Sequence, residues 1–96
     1  MLLDKIQTKK ESIKALCKQF GASHVRVFGS VARREETPES DIDILVEFPR
    51  GYDIFKQRLP LTESLQQLLQ RKIDLIPEHE LNKHLRQPIL EETIEL

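Results

Sequence analysis

The sequence predicts a single α/β domain over residues 1–96, in which a small mixed sheet of three strands, or slightly more, is flanked by helices. Three observations predict it. Helical and alternating apolar periodicities succeed one another along the chain, the pattern of strands lying side by side with helices packed on them. Turn and stop signals at Gly21, Thr37-Pro38 and Pro49-Arg50-Gly51 separate the segments, and no repeat, linker or low-complexity tract intervenes. Two aspartates, Asp41 and Asp43, open an isoleucine-rich strand, where aspartate is disfavoured because its short polar side chain competes for backbone hydrogen bonds.

Taken in order, Ile6, Ile13, Leu16, Cys17 and Phe20 recur at helical spacing and predict a first helix over about residues 3–20, with Gly21 as its C-terminal stop. His24 to Gly29 alternates, Val25 and Val27 on one side and Arg26 and Phe28 on the other, which predicts a strand ending at the glycine. Ser30 is a good N-cap for a short helix over VARREE, and Pro38 stops it because proline cannot continue the hydrogen-bond ladder. Asp41 to Phe48 is the second strand, with Ile42, Ile44 and Val46 on one face. Asp53 to Lys72 reads as helix, interrupted or restarted near Pro60, and Leu61, Leu65, Leu68 and Leu69 form its core-facing stripe. Lys72 to Pro77 is a third strand. EHELNKHL is a short helical piece, and in PILEETIEL Pro88 can start a last helix.

Composition bounds what such a domain does. With 32% charged and 39% hydrophobic residues, both signs intermixed, the chain is a globular protein rather than a disordered one. Its formal net charge of −1 argues against broad nucleic-acid binding, which draws on an excess of Lys and Arg. The N-terminal MLLDKIQTKK has no signal-peptide run and no segment approaches a membrane span, so a cytoplasmic location is expected. Cys17 stands alone, which leaves no disulfide framework and no CxxC site and makes it a core residue. A domain of 96 residues has no room for a second, substrate-binding domain, so its substrate must come largely from elsewhere.

The carboxylates carry the chemistry. Strand side chains at i and i+2 share a face with Cα atoms about 7 Å apart, so Asp41 and Asp43 are neighbours while Ile42 and Ile44 point into the core. For Ser30, just past strand one, to meet them at the start of strand two, those strands must run antiparallel. A parallel crossover to strand three would then set Asp74 beside the pair. Clustered carboxylates repel, and a divalent cation relieves that repulsion; an all-oxygen set suits Mg²⁺ or Mn²⁺, and two ions about 3.5–4 Å apart could clamp the oxygens of phosphoryl or nucleotidyl transfer. Gly29 lets backbone approach a phosphate, and Ser30 with the helix-start N–H groups donates to it. Arg33 could reach a phosphate or be paired structurally.

Gly29-Ser30, ten residues, then Asp41-x-Asp43 resembles the GSx10DxD signature of the DNA polymerase beta-like nucleotidyltransferase superfamily, and Asp74 in KIDLI resembles its third metal-binding carboxylate. Length, the SDIDILVEF context and the LRQPILEETIEL ending are similar to the minimal nucleotidyltransferases of the MntA type, antitoxins paired with HEPN-domain toxins of the HepT type. The resemblance spans nearly the whole chain. It implies a polymerase beta-like nucleotidyltransferase fold and transfer of AMP from ATP to a tyrosine hydroxyl of a HEPN ribonuclease, which silences that toxin within a hetero-oligomer. It also implies that Gly29 and Ser30 hold the triphosphate, that Asp41 and Asp43 bind two Mg²⁺ ions, and that Asp74 ligates the catalytic one and helps activate the hydroxyl. Many relatives have glycine after the arginine of this turn, where here Arg34 follows Arg33. The alternative reading is an antitoxin that neutralises its partner by stoichiometric binding alone.

Other residues with chemical potential are expected to be structural. His79 and His84, five apart, diverge on a helix and do not form a metal pair. His24 has no evident partner in sequence, and Tyr52, in a turn-like PRGYD segment, is expected to pack or to be exposed. The leucine-bearing helices and the C-terminal apolar segment are candidate docking surfaces.

Overall fold

In the computed structural model, which describes residues 1–96, the first apolar stripe is carried by two helices, α1 (Leu2–Thr8) and α2 (Lys10–Gln19), rather than one. The break falls at Lys9, whose backbone (φ −107°, ψ 12°) leaves the helical region and whose Nζ donates to the carbonyl of Leu68 at 3.1 Å. Leu3, Ile6, Ile13 and Cys17 are nonetheless all buried, so the stripe crosses the break intact. Gly21 follows the C-cap Phe20 in the left-handed region (φ +82°), the conformation that ends a helix most readily at glycine.

The chain continues through β1 (Ser23–Phe28), the single turn α3 (Gly29–Ala32) and β2 (Ile42–Glu47). A π-helical turn (Ile54–Arg58) then runs into α4 (Leu59–Leu69), followed by β3 (Ile73–Pro77), a 3-10 turn (Glu78–Glu80), α5 (Lys83–Glu92) and β4 (Ile94–Glu95). The sheet order is β3-β2-β1-β4. β1 is antiparallel to β2 and to β4, and β2 is parallel to β3. Both predicted relationships therefore hold, the antiparallel meeting of strands one and two and the parallel crossover to strand three.

Alternation along the strands sends Val25, Val27, Ile42, Ile44, Val46, Ile73 and Leu75 to one face, where they pack with Ile6, Ile13, Leu61, Leu65 and Leu69 into the core. The leucine stripe of α4 is consumed by this packing, so it is not the docking surface the sequence suggested. The large apolar side chains that do face solvent are Ile54, Phe55 and Leu59 around the π-helical turn, Leu85 on α5, and Met1.

Four local expectations are corrected. Ser30 is not an N-cap: α3 is bounded from one residue earlier, at Gly29, with extended Phe28 before it and no side-chain cap bond. α3 is also shorter than VARREE and ends at Ala32. EHELNKHL divides into the 3-10 turn and the start of α5, where the Asn82 side chain accepts from the His84 N–H at 2.8 Å. Pro88 lies inside α5 instead of starting a helix. Residues 54–69 are helical, within the expected 53–72, with a change of helix type at Arg58 and Pro60 in the first turn of α4.

The fourth strand, β4, pairs Ile94 with Val27 and Glu95 with Arg26, and at two residues it has no periodicity to read. On the face away from the core, Arg26 is only 3% exposed. The 3-10 turn and α5 lie over this face, and Glu78 forms an ion pair with Arg26 Nη1. No helix is long and apolar enough to cross a membrane.

Candidate active site

Strand register assembles the site. Phe28, the last residue of β1, pairs with Asp43, and Asp43 pairs with Asp74 across the parallel β2–β3 ladder. Three adjacent strands thus set Gly29, Asp43 and Asp74 in a row across one end of the sheet. Asp41 sits immediately before β2, and the Ile42 N–H donates to the Lys72 carbonyl at 2.9 Å, which ties that strand's start to β3.

Gly29 is required twice over. Its φ of +74° lies in the left-handed region, and a Cβ built on it would stand 2.1 Å from Asp43 Oδ2 and 3.0 Å from Asp43 Cγ. No side chain can occupy that space while Asp43 keeps its place. Ser30 follows, half-buried, with its Oγ free of any hydrogen bond within the protein. The Ser30 carbonyl accepts from the Glu35 N–H at 2.8 Å, which closes the turn after α3.

Sequence reasoning missed Glu92. Its Oε1 accepts from the Gly29 N–H at 3.1 Å and its Oε2 accepts from Arg33 Nη1 at 2.9 Å. Arg33, for which the sequence left a phosphate or a structural partner open, therefore has a structural one, and its Nε also donates to Glu35 at 3.4 Å. Glu92 lies 63 residues from Gly29 in a segment read only as helical, and no local signal connects the two.

The electrostatics favour a cation. Burial, the Asp74 carboxylate and the Asp41 carboxylate push the pKa of Asp43 up to about 6, with Glu92 adding to the effect and Arg33 opposing it. A carboxylate whose ionisation is resisted by two neighbouring carboxylates gains most from a positive ion between them. The oxygen-only donors of Asp41, Asp43 and Asp74, beside a glycine that leaves the space open, fit a hard divalent cation.

The row of carboxylates lines none of the three surface grooves, which run along the polar side of α4, between α2 and the C-terminus, and beside Met1 and Pro38. The site is an open shelf at the sheet's end. A second compact group, His24, Glu47 and Glu78, stands at the opposite end of the strands. It is explained by ion pairing, since Glu78 is held by Arg26 and Arg86 while His24 lies against Glu95 and Glu47. His24 thus has partners that the sequence did not reveal. Tyr52 packs as expected, stacked on Phe48 with ring centroids 4.6 Å apart and donating its hydroxyl to Glu80. Cys17 is buried, and burial raises its thiol to about 11.

Residues 9–96 match the nucleotidyltransferase domain family. A candidate protein adenylyltransferase of Methanocaldococcus jannaschii is 40% identical over 83 residues, covering 85% of this chain and 79% of that protein. The protein adenylyltransferase MntA of Thermococcus cleftensis is 35% identical over 81 residues, 84% of this chain and 81% of its own. Among solved structures, a candidate minimal nucleotidyltransferase superposes with a TM-score of 0.87 at 38% identity, covering 100% of this chain and 97% of the other. A toxin–antitoxin structure with AMP-PNP shares the fold at TM-score 0.74 and 23% identity, over 88% of this chain and 69% of that one. On sequence, topology and the glycine-serine turn facing its carboxylate row, the chain belongs to the nucleotidyltransferase domain family and has the polymerase beta-like α/β fold.

Proposed function

We propose that this protein is the antitoxin of a toxin–antitoxin pair and transfers AMP from ATP to a tyrosine hydroxyl of a HEPN-domain ribonuclease toxin of the HepT type. The single observation that carries the proposal is the register Phe28–Asp43–Asp74, which sets the Gly29-Ser30 turn against a row of carboxylates at an open sheet end. The names of the relatives support the adenylyl donor, and the toxin–antitoxin structure of the same fold supports a partner protein as acceptor. The shallow site adds to this, because an acceptor that fits no pocket here is best presented by another chain.

In this reading Gly29 and Ser30 hold the triphosphate, the Ser30 hydroxyl donating to a phosphate oxygen. Arg33, with Nη2 free of hydrogen bonds, adds positive charge on the same side. Asp41 and Asp43 would hold two Mg²⁺ ions, for which Mn²⁺ could substitute, and Asp74 would help to hold one of them. The bound ions supply neutralisation of phosphate charge and polarisation of the α-phosphorus. The tyrosine oxygen forms a bond to that phosphorus, the bond to the pyrophosphate oxygen breaks, and the tyrosine proton passes to the carboxylate row at Asp74. The products are an AMP–tyrosine ester and pyrophosphate.

The test is intact-mass measurement of the toxin after incubation with this protein, ATP and Mg²⁺. A gain of one or more AMP masses is expected, with none for Asp43→Asn. Neutralisation without a mass gain would replace catalysis with stoichiometric binding.

A further inference from the structure

We propose that Glu92 is a positioning residue for nucleotide binding: it holds the Gly29-Ser30 turn in place by gripping both ends of α3 from the end of α5. The inference rests on the nucleotidyl-transfer reading and concerns a residue outside the signature that defines it. α3 is a single helical turn, and a turn of that length is unstable without outside support. Its first residue must nevertheless stand at a left-handed φ against Asp43, since that close approach defines where Ser30 lies relative to the carboxylates.

Glu92 supplies the support as the last residue of α5, two residues before β4. β4 fixes where the end of α5 lies: Arg26 pairs with Glu95 and Val27 with Ile94, which brings the C-terminal end of α5 alongside the end of β1 and α3. One carboxylate oxygen accepts the Gly29 N–H and the other accepts Arg33 Nη1, so a single group spans the turn from its first residue to the residue that caps its end. Hydrogen bonds to an ionised carboxylate are about twice as strong as neutral ones, and two on one group restrict its rotation.

The direction of the grip separates positioning from competition. Gly29 presents its N–H to Glu92 on α5 and its open Cα side to Asp43 on β2, so the two carboxylates meet different sides of the same residue. Arg33 offsets the negative charge that Glu92 brings. An anion lodged in the phosphate place would instead leave that place on nucleotide binding, and the turn would then lose its grip when it is most needed.

The experiment compares wild type, Glu92→Ala and Glu92→Gln by amide hydrogen exchange without nucleotide and by calorimetric titration with Mg·ATP. Glu92→Ala is expected to speed exchange at Gly29 while Val27 and Ile94 keep their protection, and to weaken Mg·ATP binding by about tenfold. Glu92→Gln, which keeps an oxygen for the Gly29 N–H, is expected to recover most of both losses. Unchanged or tighter Mg·ATP binding by Glu92→Ala overturns the proposal, tighter binding because it means the carboxylate competes with phosphate. Loss of protection at Val27 and Ile94 together with Gly29 also overturns it, since Glu92 then merely anchors β4. If wild type itself shows no Mg·ATP binding, the nucleotidyl-transfer reading fails and this inference with it, an outcome distinct from variants that bind as wild type does.

Discussion

Gly29 and Asp43 occupy mutually exclusive space: a Cβ on Gly29 would stand 2.1 Å from Asp43 Oδ2. The left-handed φ of Gly29 adds a backbone cost for any other residue, about 1 kcal/mol. Gly29→Ala is therefore expected to fold with a modestly lowered melting temperature and to displace the Asp43 carboxylate. Because misplacing a reacting group by about 1 Å can cost about a hundredfold in rate, AMP transfer should fall by about that factor. Measured transfer within threefold of wild type, a threshold set at roughly 0.7 kcal/mol, would show that the close approach has no catalytic consequence.

Asp43 makes the metal-free protein less stable as pH rises. Its folded pKa, about 6, lies above the ordinary 3.8, so between roughly pH 4 and 6 the folded state binds a proton that the unfolded state has released. Stability from this group is highest below about pH 4, declines through that window and is level above it. Glu78 acts in the opposite sense, because Arg26 holds its carboxyl below 4.5; its contribution is present above 4.5 and is lost on further acidification. The difference in melting temperature between wild type and Asp43→Asn in EDTA isolates the first effect. It should change in favour of Asp43→Asn from pH 4 to pH 6 and then stay constant.

Divalent cation should reverse that penalty. With Mg²⁺ or Mn²⁺ held by Asp41, Asp43 and Asp74, the repulsion that raises Asp43 is compensated, so addition of the ion should raise the melting temperature above pH 6. Binding at pH 5 should release a proton, measurable as a buffer-dependent heat in calorimetry. A heat independent of buffer at pH 5 would place the ion elsewhere.

Arg26 is almost fully buried, and Glu78 is the carboxylate that compensates it. Glu78→Ala leaves that cation in the interior without its partner, for which about 3 kcal/mol of stability loss in urea unfolding is expected. Arg26→Met removes the charge while keeping much of the volume and should cost less. Equal losses for the two variants would mean that packing, not the orphaned charge, decides the effect.

Gln70 ends α4 in the left-handed conformation (φ +55°). Gln70→Gly should stabilise the fold by about 0.5–1 kcal/mol, less whatever its side-chain bond to the Gln67 carbonyl contributes. Chemical denaturation measures the sum, and a destabilised variant would show that the side-chain bond outweighs the backbone strain.

Much is legible in the residues themselves. Alternation locates three strands because a strand buried on one face must repeat with period two, and Asp43 is conspicuous because aspartate is disfavoured inside a strand. The requirement that Ser30 and Asp41 meet is enough to make β1 and β2 antiparallel. The break at Lys9 is not legible, because the apolar stripe continues through it. The burial of Arg26 is not legible either, because alternation reports which face a side chain takes and not what later covers that face.

By itself, the sequence determined the order of the first three strands and the helices between them, the core-facing stripes, and the expectation that a glycine-serine turn meets three aspartates. Tertiary structure alone decided the rest: the fourth strand, the raised pKa of Asp43, and the arrival of Glu92 beside Gly29 from 63 residues away. The physical reason is range. Periodicity is imposed by neighbours along the chain, whereas desolvation, charge repulsion and a two-residue strand's pairing depend on groups that only folding brings together.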